Sequence, residues 1–347
     1  MIHRNNLTTI LIAAATIALS ACSKHHQLES DLASYTQRLE DFTELQSHST
    51  DFIKPISLAP LPSKSELIYS IAPTNINLRE FNAFNACTLN TLIAERNTAL
   101  GKMQLPSSRF IYENQLLTEF DKCLEFLNNT QADKELINKL EELKSIKLAQ
   151  YSKVWSNFIT QSNEITRQIS GASDYITASS SDNFFATKQA FTYLAKTYHR
   201  NSTPHISVSS KELERHMQTL EQSRLLGRIF KSQIVITQYL NANSPILEKY
   251  LDINKCENVT QENDIAIMRN IFTLFFAQKI QAVAGELNKY MYHLRPIVLS
   301  LVEHTNLPPA YSAYLHHNLE LEHSKYKASM QKHISLWQKI FARCDAR

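Results

Sequence analysis

Apolar residues return every three or four positions along most of this chain, and that period predicts amphipathic helices. Leu28, Leu32, Tyr35, Leu39 and Phe42 form one stripe of a helix running to about Leu45. A hairpin follows: a helix over Asn77–Leu100, ended by Gly101 as a left-handed cap, then a helix opened by Pro106-Ser107 and running to about Asn129. From Asp133 to about Ile169, the positions Leu136, Leu140, Leu143, Lys147, Gln150, Val154 and Phe158 recur at near-heptad steps. Two polar intruders in that stripe, Lys147 and Gln150, point to packing within a bundle rather than a free coiled coil. Further helices are expected over Phe184–Tyr198, from the capping box Ser209-x-x-Glu212 to about Leu240, over Thr260–His304 with a bend near Pro296, and over Pro309–Arg343. Ser47–Asn75 breaks the pattern: it holds four of the ten prolines and reads as an extended segment laid over the body. Gly171–Asp182 reads as a Ser-rich loop. With no strand alternation and no internal repeat, the expected fold is all-α, an elongated bundle of long antiparallel helices forming a single domain over residues 28–347.

The amino terminus has a different pattern. Met1–Asn6 carries His3 and Arg4 and no acid, and Leu7–Leu19 is apolar or small apart from Thr8, Thr9 and Thr16. This is the layout of a secretory signal, with an apolar stretch too short to cross a bilayer as a stable helix. Its end, Leu19-Ser20-Ala21-Cys22, resembles the lipobox of bacterial lipoproteins. The resemblance implies that Cys22 carries a diacylglycerol, that residues 1–21 are removed, and that residues 22–27 form a lipidated tether. Two or three acyl chains hold a protein firmly, since each buried methylene contributes about 0.8 kcal/mol. In such lipoproteins Ser23, rather than an acid, directs the protein to the outer membrane, facing the periplasm.

Removing residues 1–21 leaves 326 of the 347 residues, enough for one large domain or two small ones. A formal net charge of +3 gives no global basic field for nucleic acid. The second most apolar stretch, Ile265–Ala284, is interrupted by Arg269, Gln278 and Lys279 and reads as a buried helix. The chain has only 4 glycines (Gly101, Gly171, Gly227 and Gly285), so the clustered glycines of phosphate loops, dinucleotide turns and nucleophile elbows cannot be assembled. No cofactor is expected.

The segment Cys87–Gly101, with Glu95-Arg96-Asn97 inside it, and the following Pro106–Glu113, with Arg109 and Tyr112, resemble bacterial lipoproteins containing the domain of unknown function 3080. Cys123, Trp155-Ser-Asn157, Cys256 and the closing Trp337 and Cys344 extend that resemblance over most of the mature chain. It implies a secreted helical lipoprotein and supplies no activity, ligand or catalytic residue.

Glu95, Arg96, Asn97, Arg109, Tyr112 and Glu113 flank one hairpin turn. An arginine fork can hold a carboxylate or phosphate at two points, with Asn and Tyr fixing orientation; the same set can equally be a salt-bridged network pinning the turn. His316, Glu320 and His323 share one helix face at i, i+4 and i+7, a spacing that can supply metal ligands but lacks the second Glu-x-x-His of a di-iron bundle, and a solvated face is expected instead. Tyr290, Tyr292, Tyr311 and Tyr314 cluster near the bend of the last helical pair, as an interface or as the cap of the bundle. Setting Cys22 aside leaves four cysteines in an oxidising compartment. Cys87 and Cys123 each lie 18 residues from position 105, inside the Gly101–Pro106 turn, and antiparallel helices bring such residues level; helix phase then decides whether they face each other. Cys256 and Cys344 sit near the base of the last hairpin and are expected to pair.

Taken together, these features predict a non-enzymatic, lipid-anchored periplasmic protein that binds another protein or a component of the envelope. A small-ligand or lipid-binding bundle, with its ligand near Arg96 and Arg109, is the alternative from a second class. A hydrolase built from scattered His, Glu and Ser is a third. A deep polar pocket favours the ligand or enzyme readings; a solid core favours the interaction module.

Overall fold

The computed structural model describes residues 27–45, 58–102, 104–172, 174–178, 183–198, 208–253, 259–304 and 306–345. The signal sequence, Cys22, Cys256 and residues 47–57 of the Pro-rich segment lie outside them. Among the described residues all regular structure is helical. The expected tether ends one residue early, because Gln27 already begins the first helix, α1 (Gln27–Thr43), which buries Leu28, Leu32, Tyr35, Thr36 and Leu39.

The expected helix over Asn77–Leu100 is three short ones: α2 (Leu78–Ala83), α3 (Leu89–Asn97) and α4 (Ala99–Lys102). Asn77 and Glu80 close a capping box at the start of α2. Gly101 is not a left-handed cap, since no described glycine has positive φ. A side chain there would instead run into the carbonyl oxygens of Glu95 and Arg96, so the requirement is for close backbone approach. Next comes α5 (Pro106–Asn129), with proline in its first turn as expected, and then α6 (Lys134–Gln161), capped by Asp133. α6 is 28 residues long, about 42 Å at 1.5 Å per residue.

The long helix expected to reach Ile169 stops at Gln161. Buried Ser162 turns its hydroxyl back to the Phe158 carbonyl at 2.6 Å and adopts an extended backbone, and α7 (Asn163–Ser170) starts in a new direction. After α8 (Phe184–Thr197), Ser209 caps α9 (Ser210–Ser223). The helix expected to continue to Leu240 breaks at Arg224, which is left-handed with φ 44°. There the fully buried Gln168 accepts from Ser223 Oγ and Leu225 N, both at 3.0 Å, and so caps α10 (Leu225–Ile253) from a distant part of the chain.

The last hairpin contains two π-helical stretches that the sequence pattern did not predict. α11 (Val259–Asn270) passes through Ile271–Gln281 into α12 (Ala282–His304), and α13 (Pro309–His316) passes through His317–Leu321 into α14 (Glu322–Asp345). α10 packs along α14 and against α1, while α1 lies on the Ile271–Gln281 stretch. At the other end α5 and α6 form a hairpin, and α9, which touches α5, α7 and α8, joins the two ends. The all-α bundle is therefore as expected, with its long helices more often broken.

Candidate functional site

The extended segment is fixed to α6 by side chains rather than by a sheet. Asn157 accepts from Tyr69 N at 2.7 Å and donates to Tyr69 O at 2.8 Å. Thr160 donates to Leu67 O at 2.7 Å, Gln161 to Lys64 O at 3.1 Å, and Gln150 to Ala72 O at 3.0 Å. These bonds satisfy a backbone that has no ladder of its own. They also place Pro73–Ile76 as one wall of a cleft of about 330 Å³ beside the α3–α5 turn.

Ile93, Arg96 and Asn97 of α3, Arg109, Tyr112, Leu116 and Phe120 of α5, and Leu143 and Lys147 of α6 complete that cleft. Four of the six residues singled out in the sequence therefore line one cavity. Glu113 lies behind the wall, 3% exposed, and its Oε1 pairs with both Arg109 and Lys147, the latter at 3.2 Å. Glu95 is exposed and does not reach the cleft. The guanidinium carbons of Arg96 and Arg109 sit 5.8 and 5.7 Å from the centre of the Tyr112 ring.

Two cations thus share one buried carboxylate, and a third, Arg96, lies within its field. Burial pushes the Lys147 ammonium below its ordinary range; Glu113 opposes that shift, and Arg109 and Arg96 add to it. Burial, and then the field of Arg109, likewise lowers Arg96. Burial, and next to it Glu113, raises the Tyr112 phenol to about 12, so it stays protonated and able to donate. Arg96 donates from Nη1 to the Gly101 carbonyl, but its buried Nε has no hydrogen-bond partner among the described residues, and neither has Thr74 Oγ1 on the facing wall. Native proteins rarely leave such groups idle, and these two lie on facing walls of one cavity. Sequence reasoning missed Thr74 and Lys147 as members of this site. The signal for Lys147 was present, since it and Gln150 interrupt the apolar stripe of α6 and both turn toward the extended segment.

A disulfide holds the cleft from behind. Cys87 and Cys123 are bonded, with Cα atoms 5.5 Å apart. The pairing is the expected one, although Cys87 sits in the turn before α3 rather than within a helix. Cys344 is also disulfide-bonded; Cys256, its expected partner, falls outside the described residues.

The other candidate sets do not converge. His316 pairs with Glu320 at 2.9 Å, whereas His323 turns to Gln233 at 3.1 Å. The π-helical stretch between them changes the phase that the i, i+4, i+7 spacing assumed. No group of three metal-ligating side chains occurs among the described residues. Of the four tyrosines, Tyr290, Tyr311 and Tyr314 are buried and only Tyr292 is exposed, at 79%. A Ser–His pair does exist, Ser244 Oγ to His333 Nδ1 at 3.1 Å, but both residues are sealed in the core at 1% and 0% exposure, where no substrate reaches them.

One family profile, described as Protein of unknown function (DUF3080), matches residues 32–347. The chain belongs to this family. No curated protein matches it. No solved structure matches it. The family match spans every residue of the cleft and both ends of the Cys87–Cys123 bond, and the family description assigns no activity to them. No helix among the described residues is long and apolar enough to cross a membrane.

Proposed function

We propose that this DUF3080 chain is a lipid-anchored protein of the bacterial envelope that binds a small anionic ligand, a carboxylate or a phosphate, in the Arg96–Arg109–Lys147 cleft. The observation that carries the reading is the cleft wall itself: three cations line it, no carboxylate does, and the Nε of Arg96 is without a partner among the described residues. Arginine is suited to two-point recognition of such anions. The wall carries no histidine, cysteine or acid to act on what is bound, which supports binding rather than catalysis. Ile76, Ile93, Leu116, Phe120 and Leu143 give the ligand an apolar side to rest against. The lipobox at Cys22 and the signal before it support the anchor and, with Ser23, the periplasmic face of the outer membrane.

Calorimetric titration of the mature protein with inorganic phosphate and with succinate tests the ligand class. Arg96→Gln and Lys147→Gln are each expected to weaken the better of the two by about tenfold, or about 1.4 kcal/mol. Binding unchanged in both variants, or no binding of either probe at millimolar concentration, refutes the site. For the anchor, Cys22→Ser is expected to leave an uncut precursor or a soluble form, and unaltered membrane partitioning of a mature-sized product refutes it.

The interaction-module reading keeps one specific observation. Phe185 and Tyr292 are exposed at 74% and 79% and are bridged by Phe184 and His293, whose rings lie 5.6 Å apart. Aromatics of this kind anchor protein interfaces. A photo-reactive residue in place of Phe185 should then capture a protein in intact cells, and repeated failure to do so removes this reading.

A further inference from the structure

A second and larger cavity, about 690 Å³, lies between α12 and α14, at a distance in sequence from every residue of the anion cleft. Each helix gives it one stripe with the same spacing. Asn288, Met291, Tyr292, Arg295, Pro296 and Leu299 follow i, i+3, i+4, i+7, i+8 and i+11 on α12, and the stripe on α14 runs from His323 to Ile334 in the same steps. Each stripe is three turns long, about 16 Å at 1.5 Å per residue, so the cavity is an elongated groove rather than a compact hole. Its size is within the roughly 300–1,000 Å³ of small-molecule sites.

The groove has an apolar floor and a basic edge. Met291, Leu299, Tyr326 and Met330 are buried and Ile334 half-buried, while Lys327 is exposed and Arg295 half-buried. Two methionines, unbranched and polarizable, let such a floor adapt to a flexible apolar chain. No aspartate or glutamate lines it. Glu320, just outside, lies 3.5 Å from Arg295 and 2.9 Å from His316, which orients the guanidinium and leaves the edge with about one uncompensated positive charge. Arg295 Nε, itself buried, has no hydrogen-bond partner among the described residues. His323 adds no charge near neutrality: burial first, and then Arg295 and Lys327, hold it down to about 4.

Both groove helices are entered through π-helical stretches, Ile271–Gln281 before α12 and His317–Leu321 before α14, and no other stretch of this kind occurs among the described residues. Such distortions collect at functional sites because they reset the phase of the helix that follows.

From the matched stripes with their apolar floor, the net positive edge and the Arg295 Nε without a partner among the described residues, we infer that the α12–α14 groove binds a monoanionic amphiphile, a single linear acyl chain ending in a carboxylate. The chain lies along the stripes and the carboxylate meets Arg295 and Lys327. This site is independent of the anion cleft, whose cations sit on other helices.

Native mass spectrometry of the full mature protein, released from a non-ionic detergent, tests this with hexadecanoate and the matched uncharged hexadecanol as probes. One hexadecanoate is expected per protein, with hexadecanol at least tenfold weaker. Arg295→Gln combined with Lys327→Gln should remove that preference, and Met330→Trp, which fills the groove, should abolish binding. Arg96→Gln should leave hexadecanoate binding unchanged, so failure here and failure of the anion cleft are told apart. A photo-reactive fatty acid supplies a second measurement that needs no variant: it should label peptides spanning 288–299 or 323–334. Equal binding of acid and alcohol, labelling elsewhere, or capture at Tyr292 of a protein helix in place of lipid would each overturn the assignment.

Discussion

The Tyr35 hydroxyl lies 2.6 Å from His333 Nε2, joining residues 298 positions apart in the core of the bundle. The partners around this bond set its direction. Trp337 Nε1 is a donor only and donates to Tyr35 Oη at 2.9 Å, and because Ser244 gives its one proton to Leu240, neutral His333 accepts the Tyr35 proton at Nε2. His333 then carries its own proton on Nδ1 and donates to Ser244 Oγ at 3.1 Å, while Ser244 donates to the Leu240 carbonyl at 2.7 Å. One directional chain therefore ties α1, the helix next to the proposed anchor, to α14 and α10. Tyr35→Phe removes the central link and leaves two buried groups unpaired. At about 1–3 kcal/mol for each unsatisfied group, a loss of about 2–6 kcal/mol is expected in urea unfolding. A loss below about 0.5 kcal/mol would show that the chain does not hold α1 in place.

Burial also makes His333 a source of acid sensitivity. It is held neutral, with its pKa pushed down to about 3 from an ordinary 6.5. Because the folded value is the lower one, the unfolded chain binds the proton first as pH falls. The contribution to stability is complete above pH 6.5 and is lost progressively between 6.5 and about 3, at about 1.4 kcal/mol per pH unit. Between pH 6.5 and 5 this amounts to about 2 kcal/mol. His323, lowered to about 4 by burial first, adds a loss of the same sign over that range. Unfolding measured at pH 7 and pH 5 should show that drop, and His333→Gln, although less stable at pH 7, should show a smaller one. An equal drop in wild type and variant refutes the assignment.

Reduction of the Cys87–Cys123 bond should have both a stability and a binding consequence. It closes 36 residues of sequence, for which the chain-entropy account gives about 3–4 kcal/mol. It also fixes the turn leading into α3 to α5, and both of these helices carry residues of the cleft. Cys87→Ser paired with Cys123→Ser is therefore expected to lower the unfolding free energy by about that amount and to weaken anion binding, while leaving amphiphile binding at α12–α14 unchanged. Loss of both binding activities together would mean that the hairpin and the C-terminal bundle fold as one unit.

Much of this molecule was legible in its sequence because the helical period and the cap residues are local signals. The stripe Leu28–Leu39, proline at the head of α5 and the Ser209 cap all appear where the pattern put them. The breaks were not legible, because their causes are distant or subtle. Arg224 breaks a helix where Gln168, 57 residues before Leu225, supplies a replacement partner for its amide. The π-helical stretches leave no mark in an apolar count, and the one over His317–Leu321 is what separates His323 from His316 and Glu320. Arg96, Arg109 and Tyr112 could be nominated as a site, since they flank one turn. Thr74 could not, because nothing local says that the extended segment will be drawn along α6 by Gln150, Asn157 and Thr160. Gly101 stands at the end of the first arm of the hairpin as the pattern expects, but what requires glycine there is close backbone approach and not positive φ.

Glu113→Gln separates the two roles of the cleft, stability and binding, because it should move them in opposite directions. Glu113 is the buried carboxylate that Arg109 and Lys147 share, and α5 and α6 are joined through it. Removing one partner of a buried ion pair leaves the other charges uncompensated, at a cost of about 3–5 kcal/mol when both are fully enclosed. Arg109 is 30% exposed and Lys147 11%, so water screens part of that cost, and a loss of about 2 kcal/mol is expected. The same change leaves Arg96, Arg109 and Lys147 with no internal counter-charge, and an anion entering the cleft then meets three cations instead of a partly neutralised set. Phosphate affinity should therefore rise, severalfold at low ionic strength, and fall back as salt is added. Excess phosphate should also recover much of the lost stability, since a ligand that binds only the folded protein stabilises it by mass action. If Glu113→Gln lowers stability and leaves phosphate affinity unchanged or reduced, then the charges around Tyr112 serve only to pin the turn, and the cleft is not an anion site.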